Sequence, residues 1–373
     1  MPHFDGMLNS IRFSHDRPSR VSIEGAVSEE RQESLLTDLL HRSVKIRPET
    51  FPRVASAIQA AESRLLGEGT SPDVFVHSDA NMQACCFLPG HYDHPVILLT
   101  SSLIERLELD ELTSVIGHEI GHAVYKHNNP DHSTLEGLER LKILAASRSA
   151  EVSADRAGLL ACRDLNAAVS ALIKITTGLG VDDIRFDIQA FLRQFSEITE
   201  KGPSISETMS THPLFLLRIR ALFMFSNSLE YHNCVGLSGK GSISLEEADR
   251  GIMRDIRKIS GLSLDEIDDE LITQILILAS FAVFTSDGKF SKEEQDFFKE
   301  AFGGIDTSEA VKLAQVKGHS GVLYELRRRL SLLGGVSAKD EARMKAFFGV
   351  LYDSFPKEDT RPLEAALNSL GYV

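Results

Sequence analysis

The stretch "TSVIGHEIGHAVYKH", residues 113–127, sets three histidines and a glutamate in an otherwise apolar run. Leu112, Val115, Ile116, Ile120, Ala123 and Val124 recur at helical spacing, and Asp110 is suited to cap the start. The pattern predicts a core helix, where a buried histidine or glutamate is costly unless it finds a partner. His118 and His122 are four apart, so their rings project from one face, one turn above the other. Two imidazoles so placed can hold a single Zn²⁺, and Glu119 beside them is angled to reach a water without ligating the ion. Gly117 and Gly121 each cost about 1 kcal/mol relative to Ala inside a helix, so close approach of another backbone is expected there.

A catalytic zinc needs a third protein ligand and one open position. His127 does not fit the HExxHxxGxxH spacing, being five residues after His122 with no glycine between. The better candidate is "AEVSADRAG", in which Glu151 and Asp155 share a helix face. Alone, that pair would read as a solvated acidic face. Beside the His118–His122 helix, Glu151 completes a set of two histidines and a carboxylate. Asp155 is then free to accept a ring N–H from a ligand and fix its tautomer.

The rest of the chain narrows the function. A net charge of −14 speaks against nucleic acid or anionic membrane as a general partner. The most apolar run, "LITQILILASFAVF" at 271–284, is too short to span a bilayer and contains Thr273, Gln274 and Ser280, so a buried helix is expected. The first residues lack the apolar core of a signal peptide. Cys85, Cys86, Cys162 and Cys234 form no CxxC pair. Reduced thiols in a cytoplasm are the simplest expectation, and the adjacent Cys85 and Cys86 read as buried packing rather than metal ligands.

Short strands are expected at "SPDVFVHSD" and at Val96, Ile97, Leu98, Leu99 and Thr100, with helices over about 110–127, 134–161, 164–178 and 184–198. Another helix starts at "THPLFLLRI", with Pro213 in its first turn. The Ser-, Gly- and Asn-rich stretch 226–244 reads as a linker. The expected organisation is an N-terminal extension over 1–48, a metallopeptidase domain over 49–225, that linker, and a helical domain over 245–373. The fold class is mainly α with a small β-sheet. In the last segment Phe290 with Lys292, Glu293 and Glu294 is echoed by Phe355 with Lys357, Glu358 and Asp359, which suggests two related helix starts. "DGKFSKEE" lacks an oxygen at the first calcium-loop position, whereas Ser291 and Glu294 have capping-box spacing.

Three ordered motifs, "ELTSVIGHEIGHAVYKH", "EVSADRAG" and "THPLFLLRI", make residues 50 to 225 similar to the gluzincin metallopeptidases of the HtpX and CAAX-prenyl-endopeptidase family. The resemblance implies a zincin-like fold with one zinc per chain, held by His118, His122 and Glu151. It also implies that Glu119 activates water, that Asp155 orients a ligand, and that His212 steadies the oxyanion with Arg218 nearby. Protein or peptide substrates follow; residues 96–100 read as the edge along which an extended peptide adds a strand, with a strand packed in the core as the competing reading. Two departures limit the transfer. Gln83 stands before Ala84 where many relatives have Asn, and no spanning helix matches those of the membrane-embedded members. The last segment, through "LILASFAVFTSDGKFSKEEQDFF", resembles TerB-type helical modules associated with stress responses. Such a module implies a regulatory partner or self-association. The reading is a zinc-dependent endopeptidase; its competitor is a non-catalytic or latent zinc-binding scaffold.

Overall fold

The computed structural model describes residues 2–16, 37–38, 41–66, 71–87, 94–127, 137–180, 187–201, 215–237, 239–260, 264–288, 290–332 and 338–370. These residues fall into two compact units, one taking those up to 127 and 144–260, the other 137–143 and 264–370. Both are mainly helical, as composition and periodicity predict, and the first holds one four-stranded sheet.

In the first unit, α1 (Pro2–Ile11) and β1 (Val44–Lys45) lead to α2 (Pro52–Leu65). Three strands follow: β2 (Asp73–His77), β3 (Ala84–Phe87) and β4 (Val96–Thr100). The sheet order is β1-β2-β4-β3, with β2 and β4 parallel and both outer pairs antiparallel. The alternation of side chains splits β4 cleanly. Ile97 and Leu99 join Val74 in the main core, whereas Val96 and Leu98 pack with Phe75 and Phe87 on the opposite face.

This topology corrects the expected substrate edge. Val96, Ile97, Leu98, Leu99 and Thr100 lie in an inner strand whose two sides are both hydrogen-bonded, to β2 and to β3. An inner strand has no free ladder to offer a peptide. Among the described residues the edge on that side is β3, which the sequence hid behind two cysteines and a Pro-Gly turn signal.

The helices after the sheet are α3 (Ser101–Arg106), α4 (Leu109–Val124), α5 (Gly137–Cys162), α6 (Leu165–Thr177), α7 (Ile188–Lys201) and α8 (Phe215–Ser226). Helix α4 starts one residue before the expected cap, because Glu108 and Glu111 form a capping box in which the Glu111 carboxylate accepts from the Glu108 N–H at 2.7 Å. It packs on α2, α6 and β3, which carries the edge strand to the His118 helix. Against α5 the approach is close enough to require glycine. A Cβ on Gly121 would lie 2.8 Å from the Ala157 Cβ and 3.2 Å from the Ala154 Cα. A Cβ on Gly117 would collide with Ala161, and one on Gly158 would meet the Ser114 carbonyl at 2.7 Å. The two costly helix glycines thus have the explanation the sequence suggested.

Two boundary expectations need correction. Residues 226–244 are not a linker: α9 (Leu229–Cys234) follows a buried Ser228, whose hydroxyl caps the helix on the Tyr231 N–H. Gly241 passes so near Ser228 that a Cβ would sit 2.7 Å from its carbonyl carbon. Loss of period there reflects tight turns, not slack chain. Helix α10 (Leu245–Ser260) then packs on α8 and buries Ile252, Ile256 and Ile259 in the core of the first unit. The first residues are no appendage either, since Leu8, Ile11 and Phe13 belong to that core.

The second unit centres on α11 (Leu264–Phe284), whose apolar run from Leu271 is buried as expected. Around it stand α12 (Lys292–Phe302), α13 (Ser308–Leu332), α14 (Ala338–Ser354) and α15 (Lys357–Asn368). Ser291 and Glu294 make both bonds of the expected capping box. The internal echo has a packing counterpart, since Phe290 and Phe355 both meet the ring of Phe284, at 5.7 and 5.3 Å. No described helix is long and apolar enough to cross a membrane.

Gly121→Ala tests the α4–α5 contact. Propensity alone would stabilise the helix, but the clash is expected to lower stability by about 1–3 kcal/mol. Urea denaturation measures it, and a gain in stability would show that the helices are not so close.

Candidate metal centre

Helices α4 and α5 bring the three expected ligands together. His118, His122 and Glu151 each offer a ligand atom, and these atoms all lie within 4.8 Å of one another. The Nε2 atoms of the two rings are 3.0 Å apart, and each is 3.6 Å from a different oxygen of Glu151. Two zinc–nitrogen bonds at a tetrahedral angle would span about 3.3 Å, close to this separation.

The outer nitrogens decide the tautomers. His118 Nδ1 lies 3.0 Å from Asp155 Oδ1, and an ionised carboxylate only accepts, so Nδ1 carries a proton and Nε2 is the atom left to ligate. Burial alone would hold the His118 pKa down, but the bond and charge of Asp155 outweigh it and lift the group above the ordinary histidine range. His122 is pushed down to about 3 by burial and by His118, so its ring is neutral and fit to ligate. Both Nε2 atoms thus converge on one point beside Glu151, where a bound cation would take the place of the proton between them.

Arg218, on α8, forks across both α5 carboxylates. Its Nε and Nη2 donate to Asp155 at 2.8 and 2.6 Å, and its Nη1 lies 3.2 Å from Glu151. Burial would raise the Asp155 pKa, but the charge of Arg218 and its bonds hold it below the usual carboxylate range. The resemblance implied only that Arg218 stands near the site; the geometry makes it the counter-ion of the α5 acids. His212 lies outside the described residues.

Glu119 is buried on the same helix as the two rings, one residue past His118. Burial pushes its carboxyl above the ordinary range; the charge of His118 opposes this and that of Glu151 adds to it. Its hydrogen-bonding neighbour is the Cys86 thiol on edge strand β3, itself raised by burial and by Glu119. Neither Cys85 nor Cys86 belongs to the ligand cluster. A cavity of about 380 Å³ is lined by these groups together with Gln83, Cys86 of β3, Val115, Ala171 and Leu172. Gln83, the departure from the family pattern, has its backbone tied to the Thr100 hydroxyl, its N–H donating at 3.0 Å.

Residues 49–143 and 131–224 match the family model described as Peptidase family M48. Over those residues the chain is similar to peptidase family M48. Over 172 residues it is also 28% identical to the plastoglobule-localized metallopeptidase 48, chloroplastic, of Arabidopsis thaliana, across 40% of this chain and 50% of that protein. The chain thus spans about half the length of that curated relative. No solved structure matches the chain. The matched residues contain every member of the His118–His122–Glu151 cluster.

Sequence reasoning missed three groups around this M48 site. His127 appeared only as a misfit third ligand, yet its Nδ1 lies 2.8 Å from His122 Nδ1. Asp16 and Arg12 come from beyond the matched residues, and no local pattern ties "RFSHD" to a helix more than a hundred residues later.

Replacing Arg218 with Met would leave two buried carboxylates without their cation. A loss of about 3–5 kcal/mol is expected in denaturant titration of the metal-free chain. A change below about 1 kcal/mol would mean that the pairing is too exposed to matter.

Proposed function

We propose that this chain is a zinc-dependent endopeptidase whose centre is held by His118, His122 and Glu151. The observation that carries the reading is the pair of Nε2 atoms 3.0 Å apart, with Glu151 at 3.6 Å from each and Glu119 buried beside them. Two neutral imidazoles and one carboxylate are a donor set that catalytic zinc takes, and the set leaves room for a fourth ligand. When bound, zinc supplies acidification of a water to a pKa of about 7 and polarisation of the scissile carbonyl.

The protein's own groups do the rest. Glu119 receives the water's proton and passes it to the leaving amine, and the raised affinity of its carboxyl for a proton suits both halves of that task. Asp155 holds His118 in the liganding tautomer, and Arg218 holds Asp155 and Glu151 in place. His212 keeps its role in steadying the oxyanion on the strength of the motif resemblance. An extended peptide adds to the outer side of β3, since that strand borders the cavity and pairs with β4 on its other side. The second unit, all-helical as the TerB resemblance implies, is assigned the binding of a regulatory partner or a second copy.

Glu119→Gln separates this from a zinc scaffold. Zinc content should persist while cleavage of a peptide library falls by at least about 10²-fold, and a chelator should abolish cleavage by the wild-type chain. Undiminished cleavage by the variant would remove Glu119 from the mechanism. A wild-type chain that binds zinc and cleaves nothing would favour the scaffold.

A further inference from the structure

We propose that Asp16, acting through His127, is a positioning residue for the ligand His122, so that the segment 12–16 is part of the metal site. The inference rests on the zinc reading above and brings in Arg12 and Asp16, which lie outside the matched range of 49–224.

With both rings neutral, the chain of hydrogen bonds allows one assignment of protons. Asp16 Oδ2 lies 2.9 Å from His127 Nε2, and a carboxylate can only accept, so the His127 proton is on Nε2. His127 Nδ1 is then a lone pair, and at 2.8 Å from His122 Nδ1 it must accept a proton carried by His122. His122 therefore presents an unprotonated Nε2 toward the Nε2 of His118. Asp155 achieves the same for His118 directly, whereas the second ligand is served by a two-residue relay.

The relay has rigid supports. Arg12 donates to both oxygens of Asp16, at 2.9 and 3.2 Å. Burial would raise the Asp16 pKa, yet His127 and Arg12 outweigh it and bring the carboxyl down to about 2, so it stays an ionised acceptor. The N–H of Phe13 donates to the Ser153 hydroxyl at 3.0 Å, and Arg156 donates to the Ile11 carbonyl at 2.9 Å. Ser153 and Arg156 lie on α5, the helix that carries Glu151. One helix thus supplies the third ligand and fixes the segment that orients the second.

The bland alternative is that Asp16 and His127 only tie the first residues to the core. Zinc affinity of the full-length chain, read by competition with a chromophoric chelator, distinguishes the two. Asp16→Ala and His127→Leu should each bind zinc about 10- to 100-fold more weakly than wild type. His127→Gln keeps an amide oxygen able to accept from His122 and should recover most of the affinity. Tyr125→Phe removes the 2.8 Å bond to the Leu8 carbonyl, loosening the segment without touching the relay, and should bind zinc as wild type does. Should Asp16→Ala fail to fold, Asp16→Asn preserves the volume, removes the charge and is expected to weaken zinc in the same direction. Wild-type affinity in the folded Asp16 variants, or equal weakening by Tyr125→Phe, would overturn the positioning role alone. A wild-type chain that binds no zinc would overturn the metal centre and this relay together.

Discussion

The interlock of α4 and α5 through glycine is the constraint on which the site depends. Gly117, Gly121 and Gly158 remove the side chains that would hold the two helix backbones apart. Only at that separation can Glu151 stand 3.6 Å from both imidazoles and Asp155 reach the far side of His118. Each glycine weakens its own helix by roughly 1 kcal/mol. The burial that follows from close packing offsets this, and Ala154, Ala157 and Ala161 complete a contact surface with almost no side-chain bulk.

Close packing also creates an electrostatic problem. Glu119, Glu151 and Asp155 are all buried around one cavity, and Arg218 pairs with the last two. Burying unpaired carboxylates costs several kcal/mol each. The arrangement is unbalanced as a purely structural device, because Glu151 and Asp155 share one guanidinium and the Nε2 atoms of two rings stand 3.0 Å apart. A divalent cation at their centre would resolve both imbalances at once. The same features that make the site costly to a folded chain are those a hydrolytic metal centre needs.

Support for the site comes from several distant parts of the first unit. Helix α8 contributes Arg218, strand β3 sets Cys86 against Glu119, and the first residues send Asp16 to His127. Helix α10 closes the same core from behind, where Arg156 of α5 and Asp249 form a buried pair. The unit is thus larger than the M48 match alone, with residues before 49 and after 224 packed into one core.

The sequence by itself determined the candidate ligands and the proposed base, because these are local: helical periodicity places His118, Glu119 and His122 on known faces, and the i, i+4 spacing does the same for Glu151 and Asp155. It also determined the mainly helical class, the buried run of α11 and the capping box at Ser291. Only the tertiary structure decided which strand is the edge, since pairing order is a non-local choice and a β-rich apolar segment looks alike in the centre and at the rim. The same holds for unit boundaries, where polar turns around Ser228 resemble a linker until their hydrogen bonds are seen. It holds most for Asp16 and His127, whose meeting depends on α5 fixing residues 11–13 across the core, a contact between chain segments too far apart for any periodicity to encode.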